Sequence, residues 1–304
     1  MKNTFSLLLL LALTACGSDQ NTDEPIQNKS ILTTVSGVSV TENPIENNIS
    51  RVQEPASTRE ATSTRAIQRF SNRKKVFILG DSTVYNESKS TEMGWGTALV
   101  SYGVHPENIF NQARSGASAK SYKICNSQPQ HCAKNHNWEN IKKLINTSAV
   151  GEGAYLLIQF GHNDEKKNNP IKSTLPGRGN SFYNELKVFT DEARKMGITP
   201  VLMTPVERME KKSGENLKYS HIKKQGDYAQ TVRDLASDED ILLLDLQKKS
   251  WVEFNKYSSS ATITKAFAYD DVTHFSPKGA SKVASWVKEL ACTLEDKGLC
   301  SQFK

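Results

Sequence analysis

Five short stretches of this chain are apolar almost without interruption: "KVFILG" from Lys75, "NIFNQA" from Asn108, "AYLLIQFG" from Ala154, "TPVLMTPV" from Thr199 and "DILLLDL" from Asp240. A strand with one wetted face alternates apolar and polar residues. These do not alternate, so helices must cover both faces of a parallel sheet. Helical spacing fills the intervals, at Gly96 to Tyr102, Trp138 to Asn146, Phe182 to Met196 and Lys224 to Ala236. The last helix is the clearest. Ser276 suits its cap and Pro277 its first turn, Val283, Val287, Leu290 and Leu294 recur on one side, and Gly298 suits its stop. The expected fold class is α/β, a three-layer α/β/α sandwich on about five parallel strands.

The N-terminus is of another kind. Lys2 precedes an apolar run from Phe5 to Leu13, too short to span a bilayer as a mature helix but suited to a secretory signal. It ends in "LTAC", which resembles a bacterial lipobox, so residues 1–15 are expected to be cut away and Cys16 acylated. An ordinary signal peptide with a chance cysteine is the alternative. Residues 16–71 are polar and rich in Ser, Thr, Asn and Glu, with no sustained period. Such a segment cannot bury enough apolar area to offset its ordering entropy, so it reads as a tether. The domain proper is then 72–304, expected to be exported and lipid-anchored. Gly17 after the cysteine favours the outer membrane.

Without Cys16, four cysteines remain: Cys125, Cys132, Cys292 and Cys300. Four allow three pairings. The local scheme, Cys125 with Cys132 and Cys292 with Cys300, suits an exported protein. Zinc at Cys125 and Cys132 with His131 or His136 is the competing idea, but six intervening residues exceed the usual ligand spacing. No metal is expected.

Residues up to 71 hold 6 of the 39 basic and 7 of the 33 acidic side chains, leaving the domain 33 against 26. That surplus would suit an acidic partner. The basic residues are scattered and lack interleaved aromatics, so no nucleic-acid partner is expected.

In open parallel sheets, ligands gather at the C-terminal strand ends. The first strand delivers Asp81-Ser82-Thr83, the second "RSGAS" with Gly116, the third "GHND" with His162 and Asn163, and the segment before the last helix "DDVTH" with Asp271 and His274. Singly, each residue has a structural reading: Ser82 as a helix cap, Asn163 as a turn former, His274 as a satisfied histidine. Together they bring a hydroxyl, a glycine turn, an amide and an acid–histidine pair to one rim.

The order "GDST", "ARSGAS", "GHND", "DVTH" resembles the four blocks of the SGNH, or GDSL-type, hydrolases. "GWG" at Gly94 to Gly96, "TPVER" at Thr204 to Arg208 and "DVTHFSPKGA" narrow the likeness to the rhamnogalacturonan acetylesterase branch, which deacetylates pectic polysaccharide. The resemblance implies the flavodoxin-like sandwich of that family. It implies Ser82 as nucleophile, His274 as base and Asp271 as its orienting acid, the DxxH spacing selecting Asp271 over Asp270. It further implies an oxyanion hole from the Ser82 and Gly116 N–H groups and the Asn163 amide.

The chemistry is coherent without the family. A serine hydroxyl is a poor nucleophile until a base takes its proton. The carboxylate fixes the imidazole tautomer, and convergent donors receive the negative charge that builds on the carbonyl oxygen. No cofactor is required. Trp95 is a candidate to stack on a sugar or, equally, to pack on the sheet. Ser118, Lys120, Tyr122 and His162 are candidates at the substrate. Arg208 suits a galacturonate carboxylate or a salt bridge near the rim. "ICNSQPQHC" and "KSTLPGRGNS" read as substrate-side loops. Expected partners are thus an acetylated, acidic polysaccharide and, through Cys16, a lipid bilayer. Lipase or thioesterase action, glycan O-acetyl transfer and a non-catalytic binding role stay open as alternatives.

Overall fold

The structure is a computed structural model that describes residues 74–85, 91–123, 137–147, 153–223 and 226–303. The signal, Cys16, the tether, and the Cys125 and Cys132 pair with its histidines lie outside the described residues.

The five apolar runs form one parallel sheet: β1 Val76–Gly80, β2 Ile109–Asn111, β3 Tyr155–Gln159, β4 Thr199–Met203 and β5 Leu242–Leu244, in spatial order β2-β1-β3-β4-β5. Their side chains alternate between two separate cores. Val76, Ile78, Tyr155, Leu157, Val201 and Met203 face one, and Phe77, Leu79, Leu156, Ile158 and Leu202 face the other. Both are dry, which is why the strands read as unbroken apolar runs. The first core is closed chiefly by the last long helix, Pro277–Thr293, with Val283, Ala284 and Val287 buried. Helices Ser181–Lys195 and Tyr228–Asp238 close the second through Phe182, Phe189, Val232 and Leu235. The expected sandwich is present. Among the described residues, no helix is long and apolar enough to cross a membrane.

Three helix boundaries differ from expectation. The helix predicted from Lys224 begins at Tyr228, because the Asp227 side chain accepts from Gln230 N and caps it there. Just before it, Ile222–Lys223 and Gly226–Asp227 make a two-residue antiparallel ladder. The Gly96 to Tyr102 helix is one α-turn, Trp95–Ala98, running into 3-10 geometry at Leu99–Tyr102. The last helix ends at Thr293 rather than near Gly298, which lies inside a further short helix, Lys297–Cys300, opened by the Asp296 cap. A Cys292–Cys300 disulfide joins the two helices, as the local pairing expected.

The order β2-β1-β3-β4-β5 reverses direction between β1 and β3, the topological switch point at which such sheets open a crevice. Gly80 and Gln159 are register partners there. The chain leaving β1 carries Ser82, and the chain leaving β3 carries Asn163. The fold therefore brings two of the four motifs to one crevice before any side chain is considered.

Candidate active site

Beyond Gly80 the chain turns sharply. A Cβ at Gly80 would lie 2.6 Å from Val84 Cγ2, so only glycine lets this strand end pack against its own turn. Asp81 is fully buried and holds the turn from inside. Its Oδ1 accepts from Thr83 N (2.9 Å) and Thr83 Oγ1 (2.8 Å), and its Oδ2 lies 3.2 Å from His162 Nδ1. Burial works to raise the Asp81 pKa, but the His162 and Thr83 donors outweigh it and the carboxyl sits below its usual value. With both Asp81 oxygens engaged inward, Ser82 is left at the rim, partly exposed.

Ser82 Oγ lies 2.9 Å from His274 Nε2, and His274 Nδ1 lies 2.6 Å from Asp271 Oδ2. A carboxylate only accepts, so Nδ1 carries the hydrogen and Nε2 is free to accept from the serine hydroxyl. Asp271 Oδ1 also accepts from the backbone N–H of Thr273 (2.7 Å) and of His274 (2.6 Å). Burial raises the Asp271 pKa, yet these three donors hold it below the usual carboxylate value. Asp271, not Asp270, is the carboxylate bonded to His274.

The segments that carry Gly116 and Asn163 are bonded to each other and to the end of β1. Arg114 N donates to Gly80 O (2.9 Å), extending the β2–β1 contact and drawing the Gly116 loop toward Ser82. Gly116 has φ +71, a left-handed turn that favours glycine. Asn163 Nδ2 gives one hydrogen to Ala117 O (2.9 Å) and keeps a second. Asp164 ties the same two segments together, accepting from Ala119 N (3.1 Å), and burial pushes its carboxyl well above the usual range. Among the described residues, the N–H groups of Ser82 and Gly116 donate to nothing. A hydroxyl backed by an imidazole and a carboxylate, with unengaged N–H groups on its own turn and on the Gly116 segment, has the groups that attack on a carbonyl requires.

Several sequence candidates lie elsewhere. Trp95 is fully buried and its Nε1 donates to Gln159 Oε1 (3.0 Å), so it packs on the sheet and offers no face to a sugar. Ser118 is also buried, its Oγ accepting from Ser121 N (3.0 Å). Tyr122 is buried and donates to Gln112 O, while Lys120 Nζ donates to Pro170 O. His162 is buried against Asp81 rather than open to substrate, and burial pushes its pKa down to about 4. Of the predicted substrate loop, Gly177 and Arg178 are tied to the helix Tyr228–Asp238: Gly177 N donates to Thr231 Oγ1 and Arg178 pairs with Asp238.

Arg208 takes the salt-bridge reading. It pairs with Glu165, and its Nη1 donates to Thr273 Oγ1 (2.6 Å), one residue before His274. Glu165 also faces His221 (3.4 Å) and Lys223 (3.6 Å). Burial would raise its pKa, but His221 and Arg208 hold it down at about 2. This inner network of Glu165, His221 and Thr273 was not predicted. Glu165 carried one signal, a charged residue directly after "GHND", whereas nothing in the sequence marks His221. No group of acids, histidines or cysteines among the described residues suits a metal ion.

The sequence profile described as GDSL-like Lipase/Acylhydrolase matches residues 76–287. Two proteins of Bacillus subtilis strain 168 are similar in sequence. One, named "Rhamnogalacturonan acetylesterase RhgT", is 32% identical over 243 residues, covering 74% of this chain and 91% of that one. The other, named "Probable rhamnogalacturonan acetylesterase YesY", is 29% identical over 229 residues, covering 73% and 95%. The solved structure of the Bacillus subtilis protein YXIM superimposes with a TM-score of 0.55 at 21% identity, a likeness of fold alone. It covers 72% of this chain and 56% of that one, so the match spans little more than half of that protein.

Proposed function

This chain belongs to the GDSL-like lipase/acylhydrolase family, and from that premise we propose that it removes O-acetyl groups from an acetylated, acidic polysaccharide of the pectic, rhamnogalacturonan type. It is a carboxylic ester hydrolase. The observation that supports the hydrolytic mechanism is the hydrogen-bonded row Ser82–His274–Asp271. The likeness to the two Bacillus acetylesterases supports the choice of acetylated carbohydrate.

In this reading, Ser82 Oγ bonds to the acetyl carbonyl carbon as its proton passes to His274 Nε2. Asp271 stays ionised and steadies the imidazolium. The carbonyl oxygen, now an anion, accepts from the N–H groups of Ser82 and Gly116 and from the second Asn163 hydrogen. The bond to the sugar oxygen then breaks, that oxygen takes the proton from Nε2, and acetyl-Ser82 remains. Water repeats the sequence with His274 as base, giving acetate and free Ser82.

The test is acetate release from acetylated rhamnogalacturonan, alongside 4-nitrophenyl acetate and 4-nitrophenyl butyrate. Wild type should release acetate from the polysaccharide and favour acetyl over butyryl, and Ser82→Ala should retain the fold and lose nearly all turnover. Substantial turnover in the alanine variant would remove Ser82 as nucleophile. A preference for the longer acyl chain would move the enzyme to the lipase class.

A further inference from the structure

Lys172 lies on the loop after β3 and has no part in the mechanism above. Its ammonium rests directly over Gly116: a Cβ built on that glycine would come within 3.1 Å of Lys172 Nζ. The loop beneath is fixed. Lys172 N donates to Asn169 O (3.0 Å), Thr174 N donates to Asp164 O (3.0 Å), and Lys120 Nζ clasps Pro170 O (2.7 Å). The lysine thus stands at a set place beside the glycine proposed above as an oxyanion donor.

Its electrostatic surroundings are one-sided. Among the described residues, Lys172 has no carboxylate partner, and the charges it feels are those of Lys166 and Arg114. Burial and these two cations push its pKa down. The nearest acids in sequence are turned inward: Asp164 is buried against Ala119 and Thr174, and Glu165 against Arg208 and His221. A partly buried ammonium beside other cations has lost hydration without gaining a counter-charge, and an arriving anion would restore the balance.

We infer that Lys172 is a substrate-binding cation that takes a uronate carboxylate of the acetylated polysaccharide. The inference rests on the acetylesterase reading and adds to it the place where acidity is recognised. Two other roles for this lysine make different demands. A structural ion pair needs an acid, and the described residues supply none. A donor to the oxyanion would act on every ester alike, whatever the charge of the sugar.

The experiment compares acetylated rhamnogalacturonan oligosaccharides with acetylated xylo-oligosaccharides, which carry no carboxylate, for wild type, Lys172→Gln and Lys172→Arg. The quantity read is the ratio of kcat/KM between the acidic and the neutral substrate. Lys172→Gln should lower that ratio about tenfold, mainly through KM, as befits a charge-assisted contact. Lys172→Arg should hold it near wild type, and added salt should shrink the difference. An equal proportional loss on both substrates, or an unchanged ratio, overturns the inference while leaving the acetylesterase reading in place. Wild type that cleaves only the neutral substrate removes the acidic-substrate reading, and the inference falls with it.

Discussion

The buried imidazole of His162 should make this domain sensitive to mild acid. Burial is the largest influence on it, pushing its pKa from 6.5 to about 4; the Asp81 carboxylate pulls upward, and His221 and Arg208 push further down. In the unfolded chain the same histidine takes a proton below about pH 6.5. Between the two values the unfolded state therefore binds more protons, so stability rises with pH across that window and falls as pH drops through it. From pH 7.5 to 4.5 the His162 contribution should shrink by roughly 2 to 3 kcal/mol. Asp164 runs the other way, because its raised pKa makes acid less costly to the fold. Glu165, held at about 2, loses its contribution mainly below the window. The two effects are separated by subtraction: urea unfolding at both pH values for wild type and for His162→Asn, whose amide can still donate to Asp81. The difference in stability between the two proteins should change by roughly 2 to 3 kcal/mol between pH 7.5 and 4.5. A change below about 0.5 kcal/mol, near the precision of such extrapolations, would refute the claim that His162 is held neutral in the fold.

Two further substitutions probe the rim. Asn163→Ala should cut kcat by roughly 10²- to 10³-fold with KM little changed, since the lost donor strengthens only as charge builds; a loss under about tenfold in fully folded protein would take Asn163 out of the oxyanion hole. Arg208→Met should lower kcat by roughly 10- to 100-fold and displace the pH–rate profile while KM holds, because Arg208 acts through Thr273 on the His274 loop. If instead only the melting temperature falls, Arg208 has no positioning role.

The sheet was legible because a strand buried on both faces leaves a mark that composition cannot hide, and all five strands formed where their runs lie. Helix Leu246–Asn255 left no such mark. Its buried face includes Gln247 and Ser250, which bond Glu207 Oε1 and Glu207 N, so its apolar period is broken by side chains the fold satisfies from elsewhere. The residues that meet in the Ser82–His274–Asp271 row were legible as short motifs, whereas the surroundings of the substrate candidates were not. Trp95 shows why: whether an indole faces a sugar or the core depends on Gln159, which sits 64 positions away and offers the acceptor for Nε1. Exposure is a property of neighbours, and a single sequence does not say who the neighbours are.

The two halves of the proposed catalytic row are held by different means. Ser82 follows directly from a central strand, and its turn is locked by Asp81 within two residues. His274 and Asp271 have no strand beneath them. Their loop is instead held by Met209 N on Val272 O (2.8 Å), Tyr269 N on His274 O (3.0 Å), Met93 N on Phe275 O (3.0 Å) and the Arg208–Thr273 contact. Three of these are backbone bonds that fix where the chain runs. Arg208 is different, since its charged head is set by Glu165, which is in turn faced by His221 beneath the crevice. His221 also meets His162 ring-edge to ring-face at 4.7 Å, and His162 bonds the Asp81 that locks the serine turn. The nucleophile turn and the acid–histidine loop are therefore joined underneath by one buried polar chain. A 2.9 Å contact between Ser82 and His274 across 192 residues of sequence needs such a common footing, because small shifts of either partner would break it.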